Sequence, residues 1–90
     1  MSGPKVFYRS EMILKDAVTR TGNTSIARVI NNAFSRHMGA GLERIENTTI
    51  EWMVTYDEIL FILEGPLTLE FEDGRHVCNK GDIVWLPEGT

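Results

Sequence analysis

In the second half of the chain, hydrophobic and polar positions form short runs separated by turn residues, with no long stretch of helical periodicity. Residues 49–54 are rich in β-branched and aromatic side chains, which favours a core strand. Residues 59–63 are apolar throughout, which predicts a strand covered on both faces. Residues 67–72 alternate between apolar and polar, which predicts a strand with one wet face. The pattern therefore indicates β-structure.

Turn residues lie between these runs and predict how the strands are connected. Asp73-Gly74 is the pair that a type I′ hairpin needs, because both central residues of that turn take positive φ. Residues 79–82 form a second turn, and Pro87 ends the strand that follows it. So many short strands in so short a span favour a barrel or a sandwich. We expect antiparallel strands near residues 49–54, 58–64, 67–72, 75–78 and 83–86.

The first third of the chain has a weaker pattern. Residues 11–20 fit a helical turn or an irregular strand, and extended structure is the preferred interpretation. Residues 21–24 are a turn cluster, and residues 25–30 are a predicted strand. A further strand is expected to begin at Leu42, after a glycine-containing turn.

Composition narrows the class of protein. Ninety residues are enough for a single domain, which we expect to span residues 1–90. The chain is 42% hydrophobic and 24% charged, as soluble globular proteins are. Its net charge of −4 and its scattered basic residues argue against a nucleic-acid partner. Cys78 is the only cysteine, which favours the cytoplasm, and no apolar stretch is long enough to predict a membrane partner.

Two motifs, each defined by the spacing of its residues, make the chain similar to a known protein superfamily. Glu58 and Gly65 are separated by six residues, and Gly81 is separated from Pro87 by five residues and from Gly89 by seven. The glycines suit strand corners, where a Cβ would obstruct the turn. Together the motifs resemble those of the cupin superfamily. The resemblance implies an all-β fold, a cupin-type antiparallel β-barrel also called a double-stranded β-helix or jelly roll, with its core motif in residues 49–90.

Within the cupins, the chain resembles the EutQ family of ethanolamine-utilisation proteins. The resemblance covers the second half of the chain well and the earlier residues only loosely. Relative to that family, the chain lacks the long N-terminal region and ends before the last barrel strands. We therefore expect an incomplete barrel, either in a fragment or in a chain that another chain completes. The matching segments are residues 38–41, Trp52, residues 56–59, residues 63–65 and residues 80–82.

The resemblance also gives expectations about metals. Metal-binding cupins use two histidines, a glutamate and a late histidine, a set that suits divalent transition metals. Only Glu58 occupies such a position, because the early positions hold Glu51 and Met53 or, by the other spacing, Trp52 and Val54. We expect no tightly bound metal. If the protein is kinase-like, Mg²⁺ would accompany ATP.

Candidate site residues follow from the same motif. Glu58 and Tyr56 are the predicted catalytic residues, and the period of two places Glu58 on one face with Leu60 and Ile62. A structural role is the preferred interpretation for Asp57, core packing is usual for a tryptophan such as Trp52, and Glu64 also fits a solvated strand end. The two histidines, His37 and His76, are expected to be solvated or in the core. The predicted ligand-binding residues are Glu51, Trp52, Asp57 and Glu64.

These expectations define two functions. The first is a EutQ-like cupin that binds a small anionic metabolite in its barrel and carries out acetate kinase-like phosphoryl transfer in ethanolamine utilisation. The alternative is a non-catalytic cupin that binds a small molecule or a protein. No phosphate-binding loop is visible, so the kinase activity is implied by the resemblance alone. A homodimer is expected, because an incomplete barrel leaves strand edges and apolar faces exposed.

Overall fold

A computed structural model describes residues 3–17 and 23–90. The chain divides into two compact units, Met1–Ile50 and Glu51–Thr90. In the described residues the regular structure is β apart from one short 3-10 helix, which confirms the all-β prediction. The strands form small antiparallel sheets that do not close into a barrel in these residues, as expected for an incomplete barrel. A single domain over residues 1–90 stays a prediction.

The first unit contains a three-stranded antiparallel sheet in the order β1-β2-β3. The strand predicted over residues 25–30 is confirmed, and the one predicted from Leu42 begins two residues earlier. The turn predicted at residues 21–24 and the end of the ambiguous segment 11–20 lie largely outside the described residues. The elements are a 3-10 helix at Arg9–Glu11, β1 at Lys15–Asp16, β2 at Asn23–Ile30 and β3 at Ala40–Glu46.

The second unit contains two antiparallel strand pairs. β4 pairs with β7, so that Ile59 lies opposite Trp85, and β5 pairs with β6, so that Leu69 lies opposite His76. Both turns between predicted strands are present, and Pro87 follows the end of β7 as expected. Four of the five predicted strands are therefore confirmed. They are β4 at Glu58–Phe61, β5 at Leu67–Phe71, β6 at Gly74–Cys78 and β7 at Ile83–Leu86.

The strand predicted over residues 49–54 is wrong. These residues form no strand, although Val54 makes two backbone hydrogen bonds. Its N–H donates to the Thr90 carbonyl, and its carbonyl accepts from the Gly89 N–H, each at 2.8 Å. A strand needs a ladder of backbone hydrogen bonds to a neighbouring strand, and residues 49–54 form no such ladder. β-Propensity alone does not supply that partner.

The expectation that residues 59–63 are covered on both faces is also wrong. Ile59 and Phe61 are each 66% exposed, whereas Leu60 is half-buried and Ile62 is buried. The strand alternates because its side chains point to opposite faces, and only one face is covered. It also ends at Phe61 rather than at residue 64. An apolar run in the sequence therefore does not show whether one or both faces of the strand are covered in the fold.

The hairpin between β5 and β6 is confirmed, but its turn is displaced by one residue. Phe71 pairs with Gly74, so the turn residues are Glu72 and Asp73. Neither Glu72 nor Asp73 has positive φ; among the non-glycine residues of the described part of the chain, only Asn47 does. The predicted type I′ turn is therefore wrong. Gly74 takes the positive φ of 137° after the turn, a conformation that a residue with a Cβ rarely adopts.

The core of each unit is small. In the described residues, no side chain is less than 2% exposed. Small domains bury a low fraction of their surface and are correspondingly marginal in stability. The buried hydrophobic residues are Ala27 in the first unit and Val54, Ile62, Cys78 and Leu86 in the second.

Candidate functional site

The covered face of the β4–β7 pair carries one carboxylate among apolar side chains. Glu58 begins β4 and lies opposite Leu86, and Leu60 lies opposite Val84. Because alternate residues of a strand share a face, Glu58 lies on the same face as Leu60. Glu58 is half-buried and Leu86 is buried. We call this surface the inner face of the second unit.

An open groove of about 440 Å³ lies between the β5–β6 hairpin and β7. A groove of this volume is within the range of small-molecule sites. Val84 connects it to the inner face, since Val84 lines the groove and pairs with Leu60. Glu58 itself does not line the groove. The lining residues are Leu69, Phe71, His76, Val77, Cys78, Asp82, Ile83, Val84 and Trp85.

The polar wall of the groove contains His76. Its Nε2 lies 3.3 Å from Oδ1 of Asp73, and its ring centroid lies 5.6 Å from that of Phe71. His76 is solvated, one of the two environments expected, because its side chain is exposed and lies on the wall of the groove. Strand alternation could have placed His76 on the face of Cys78, but the groove itself depends on β7. Asp82 also lines the groove, and its Oδ2 accepts the Asn79 N–H at 2.7 Å.

The structure does not bring the other predicted site residues into the groove. Tyr56 is 66% exposed and Trp52 is 57% exposed, so core packing of Trp52 is wrong. The physical reason is that the segment around Trp52 forms no ladder that would turn the ring inward. Asp57 is exposed, and its Oδ1 accepts the Glu88 N–H at 2.8 Å, which ties two distant segments together. Glu51 and Glu64 are exposed as well.

The residues of this site do not fit the transition metal of metal-binding cupins. In residues 3–17 and 23–90, no three His, Cys, Asp or Glu side chains come together as metal ligands. A site of that kind needs several imidazoles, and the positions before Glu58 hold none. The carboxylate of Glu58 offers hard oxygen ligands, which suit Mg²⁺ when a phosphate supplies further ligands.

Charge is distributed unevenly between the two units. Residues 51–90 contain nine acidic residues and two basic ones, a net −7, whereas residues 1–50 contain four acidic and seven basic residues, a net +3. In the second unit, Arg75 is paired with Glu70 at 3.1 Å. The negative field around the groove therefore disfavours an anion unless a local positive charge offsets it.

The described residues thus form an all-β chain of small antiparallel sheets, with an open groove and one carboxylate, Glu58, on the inner face of the second unit. The family described as "Ethanolamine utilisation protein EutQ" matches residues 12–90. The chain therefore belongs to the EutQ family, with which the predicted cupin superfamily is consistent.

Curated relatives agree with this assignment. The chain is 32% identical over 75 residues to "Acetate kinase EutQ" of Clostridioides difficile (strain 630), covering 78% of the chain and 47% of the relative. It is 36% identical over 53 residues to the protein of the same name from Escherichia coli (strain K12), covering 59% and 23%. The chain thus spans at most about half the length of these relatives. No solved structure matches it significantly.

Among the described residues, no helix is long and apolar enough to cross a bilayer.

Proposed function

We propose that this EutQ-family chain binds a small anionic metabolite and supports acetate kinase-like phosphoryl transfer in ethanolamine utilisation. The observation that carries the proposal is the groove of about 440 Å³ beside an inner face whose one carboxylate is Glu58. The names of the relatives supply the reaction class, since they are acetate kinases. Glu58 and Tyr56 are the residues to which we assign the chemistry.

In this reaction, a carboxylate oxygen of acetate attacks the γ-phosphorus of ATP. A new O–P bond forms, the bond to the β,γ-bridging oxygen breaks, and ADP leaves with the electron pair. All the reactants are anions, and residues 51–90 carry a net −7, so positive charge must be brought to the phosphates. Mg²⁺ supplies that charge when it is bound together with ATP. We assign Glu58 to orient this complex from the inner face.

The test is ATP- and Mg²⁺-dependent formation of acetyl phosphate, trapped as the hydroxamate. Glu58→Gln keeps the shape of the side chain and removes its charge, so we expect the rate to fall at least tenfold. Glu72→Gln is the matched control, because Glu72 is an exposed carboxylate of the same unit to which we assign no role in the site. Equal rates for Glu58→Gln and wild type would assign Glu58 a structural role. Absence of acetyl phosphate from the wild type would refute the kinase proposal.

A non-catalytic binding role is the second candidate. It is favoured by the absence of a glycine-rich phosphate-binding loop from the sequence. Under this proposal, metabolite binding is retained and no acetyl phosphate forms. Measuring acetate binding and turnover on the same sample separates the two roles.

We also propose that two copies associate through the uncovered face of the β4–β7 pair. We call this face the outer face; its residues lie directly opposite one another, Ile59 with Trp85 and Phe61 with Ile83, and are 61–66% exposed. They form an apolar patch of roughly 600 Å², at the upper end of what monomers expose. A symmetric pair would bury roughly 1,200 Å², the lower limit for a specific stable interface. The occupant that we assign is therefore a second copy of this chain, which would also border the groove, because Ile83 and Trp85 line both surfaces.

A further inference from the structure

The groove of the second unit runs along the free edge of β7. Among the described residues, β7 has one hydrogen-bonded neighbour, which is β4. Ile83, Val84 and Trp85 of β7 line the groove, whereas no residue of β4 does. The groove therefore lies on the side of β7 that is turned away from β4.

The hydrogen bonds at the start of the β4–β7 ladder show which backbone groups point to this free edge. The Ile62 N–H donates to the Asp82 carbonyl at 3.0 Å, so the backbone of Asp82 is turned toward the β4 side. Successive residues of an antiparallel strand turn their N–H and C=O groups to opposite edges. Val84 and Leu86 therefore bond to β4. The N–H and C=O groups of Ile83 and Trp85 are turned to the groove.

This edge lacks the usual features that keep other strands away. Natural edge strands are commonly protected by charged side chains, by proline or by a bulge. Residues 83–85 contain none of these, and Pro87 lies after the end of β7. The alternating donors and acceptors of such an edge are complementary to the backbone of another extended chain. Pairing at the edge also leaves the side chains of Ile83 and Trp85 on the outer face, where they remain available to a second copy.

The groove also selects side chains of an added strand. In antiparallel pairing, directly opposite residues share a face, so a residue opposite Val84 would point to the inner face. There it would meet the apolar groove walls formed by Leu69 and Phe71. A residue opposite Asp82 would lie beside a carboxylate whose Oδ2 accepts the Asn79 N–H and whose Oδ1 is left for a cation. The net charge of −7 in residues 51–90 also favours a basic residue at that position.

We propose that the free edge of β7 is a docking site for an extended segment of a partner protein, which adds to the sheet as an antiparallel strand. The segment has an apolar residue opposite Val84 and a basic residue opposite Asp82, with β-branched residues opposite Ile83 and Trp85. Backbone pairing supplies affinity, and the groove and Asp82 supply specificity. This inference goes beyond the proposed function and does not depend on it.

The experiment is an NMR titration of the ¹⁵N-labelled full chain with the peptide acetyl-Ser-Val-Leu-Val-Lys-Ser-amide. In the free protein, the amides of Ile83 and Trp85 should exchange with solvent faster than those of Val84 and Leu86, which lie in the ladder. Bound peptide should slow the exchange of Ile83 and Trp85 by at least about tenfold, because each gains a backbone hydrogen bond. The exchange of Val84 and Leu86 should change less.

N-methylated peptides provide a matched control for the backbone pairing. The N–H groups of the two valines face β7 in this register, whereas the leucine N–H faces away from it. Methylating both valine nitrogens should raise the Kd by about tenfold or more, since hydrogen bonds are lost and the methyl groups obstruct the edge. Methylating the leucine nitrogen should change the Kd by less than about threefold, because its N–H makes no bond to β7.

The charge preference is tested with a variant that keeps the local turn. Asp82→Asn retains an oxygen that can accept the Asn79 N–H and removes the charge, so we expect the peptide Kd to rise about threefold to tenfold. Glu72→Gln removes one charge from the same unit outside the groove and should have a smaller effect. A peptide with glutamate in place of lysine should bind more weakly than the original to the wild type.

Four results would overturn the proposal. Slow exchange of Ile83 and Trp85 without peptide would mean that the edge is already paired, and protection that depends on protein concentration would assign the edge to a second copy. Equal Kd values for the two N-methylated forms would exclude pairing in this register, and no protection at millimolar peptide would exclude the site. Because the peptide and the metabolite share the groove, the peptide should also inhibit acetyl phosphate formation. Absence of that reaction would refute the kinase proposal and leave peptide binding testable by exchange.

Discussion

Replacing Gly65 with alanine tests whether the close approach of the segment between β4 and β5 to the end of β6 is required for the fold of the second unit. An added Cβ would lie 2.9 Å from the Cys78 carbonyl oxygen and 3.2 Å from the Asn79 Cα. Both neighbours are backbone atoms, so no side chain can rotate away to make room. Gly65 does not have positive φ, so the effect isolates crowding from backbone strain.

The magnitude follows from the cost of inserting a methyl group where there is no space. Overpacking of this kind costs about 1–3 kcal/mol in free energy of unfolding. In a domain of this size, 1 kcal/mol shifts the melting temperature by about 4–8 °C, so we expect Tm to fall by roughly 5–20 °C. The backbone around Cys78 and Asn79 must shift to relieve the contact, which should also perturb the groove that Cys78 lines.

The assay is thermal and urea unfolding followed by far-UV circular dichroism. Gly3→Ala is the control, because a Cβ at Gly3 meets nothing within 4 Å. Gly41→Ala tests the same reasoning in the first unit, where the added Cβ would lie 2.7 Å from the Ala27 carbonyl oxygen. A Gly65→Ala melting temperature equal to those of the wild type and the Gly3→Ala variant would refute the argument from crowding.

Two further predictions concern association and chain closure. Phe61→Glu places a charge on the outer face and should convert the dimer to a monomer in light scattering, whereas Thr68→Glu, which adds the same charge on an exposed position of β5, should not. A wild-type monomer at micromolar concentration would contradict the dimer. Asp57→Ala removes the acceptor of the Glu88 N–H and should lower the free energy of unfolding by about 0.5–1.5 kcal/mol. Asp57→Asn keeps an acceptor oxygen, so its loss of stability should be smaller. Equal losses in the two variants would contradict this role of Asp57.

Local sequence patterns predicted the strands well where both partners lie close together in the chain. Residues 67–78 contain an alternating strand, β5, and its antiparallel partner β6 around a two-residue turn, so the periodicity of β5 and the turn signal agree. The turn was misplaced by one residue because a glycine can occupy the position after a turn as well as within it. Residues 49–54 were mispredicted because their strand character required a partner, and the pairing of Val54 with Gly89 and Thr90 is not local.

The candidate site was predicted less completely than the fold. Alternation sufficed to place Glu58 with Leu60 on one face, because that depends only on strand geometry. The groove was not predictable in the same way, since it forms between a hairpin and β7 and takes its shape from tertiary packing. In the sequence, His76 falls at no ligand position of the motif, whereas its position opposite Leu69 depends on strand register.

The hydrogen bonds between Val54 and residues 89 and 90 bring the two ends of the second unit together. Adjacent ends allow a domain to be circularly permuted, because the chain can be rejoined there and opened elsewhere. A short linker from Thr90 to Glu51, with new termini between Glu72 and Asp73, would preserve every strand pair of this unit. The strands would then follow one another as β6, β7, β4 and β5. Their order along the chain is thus separable from their arrangement in space, which makes the hairpin tip a suitable site for inserting a reporter next to the groove.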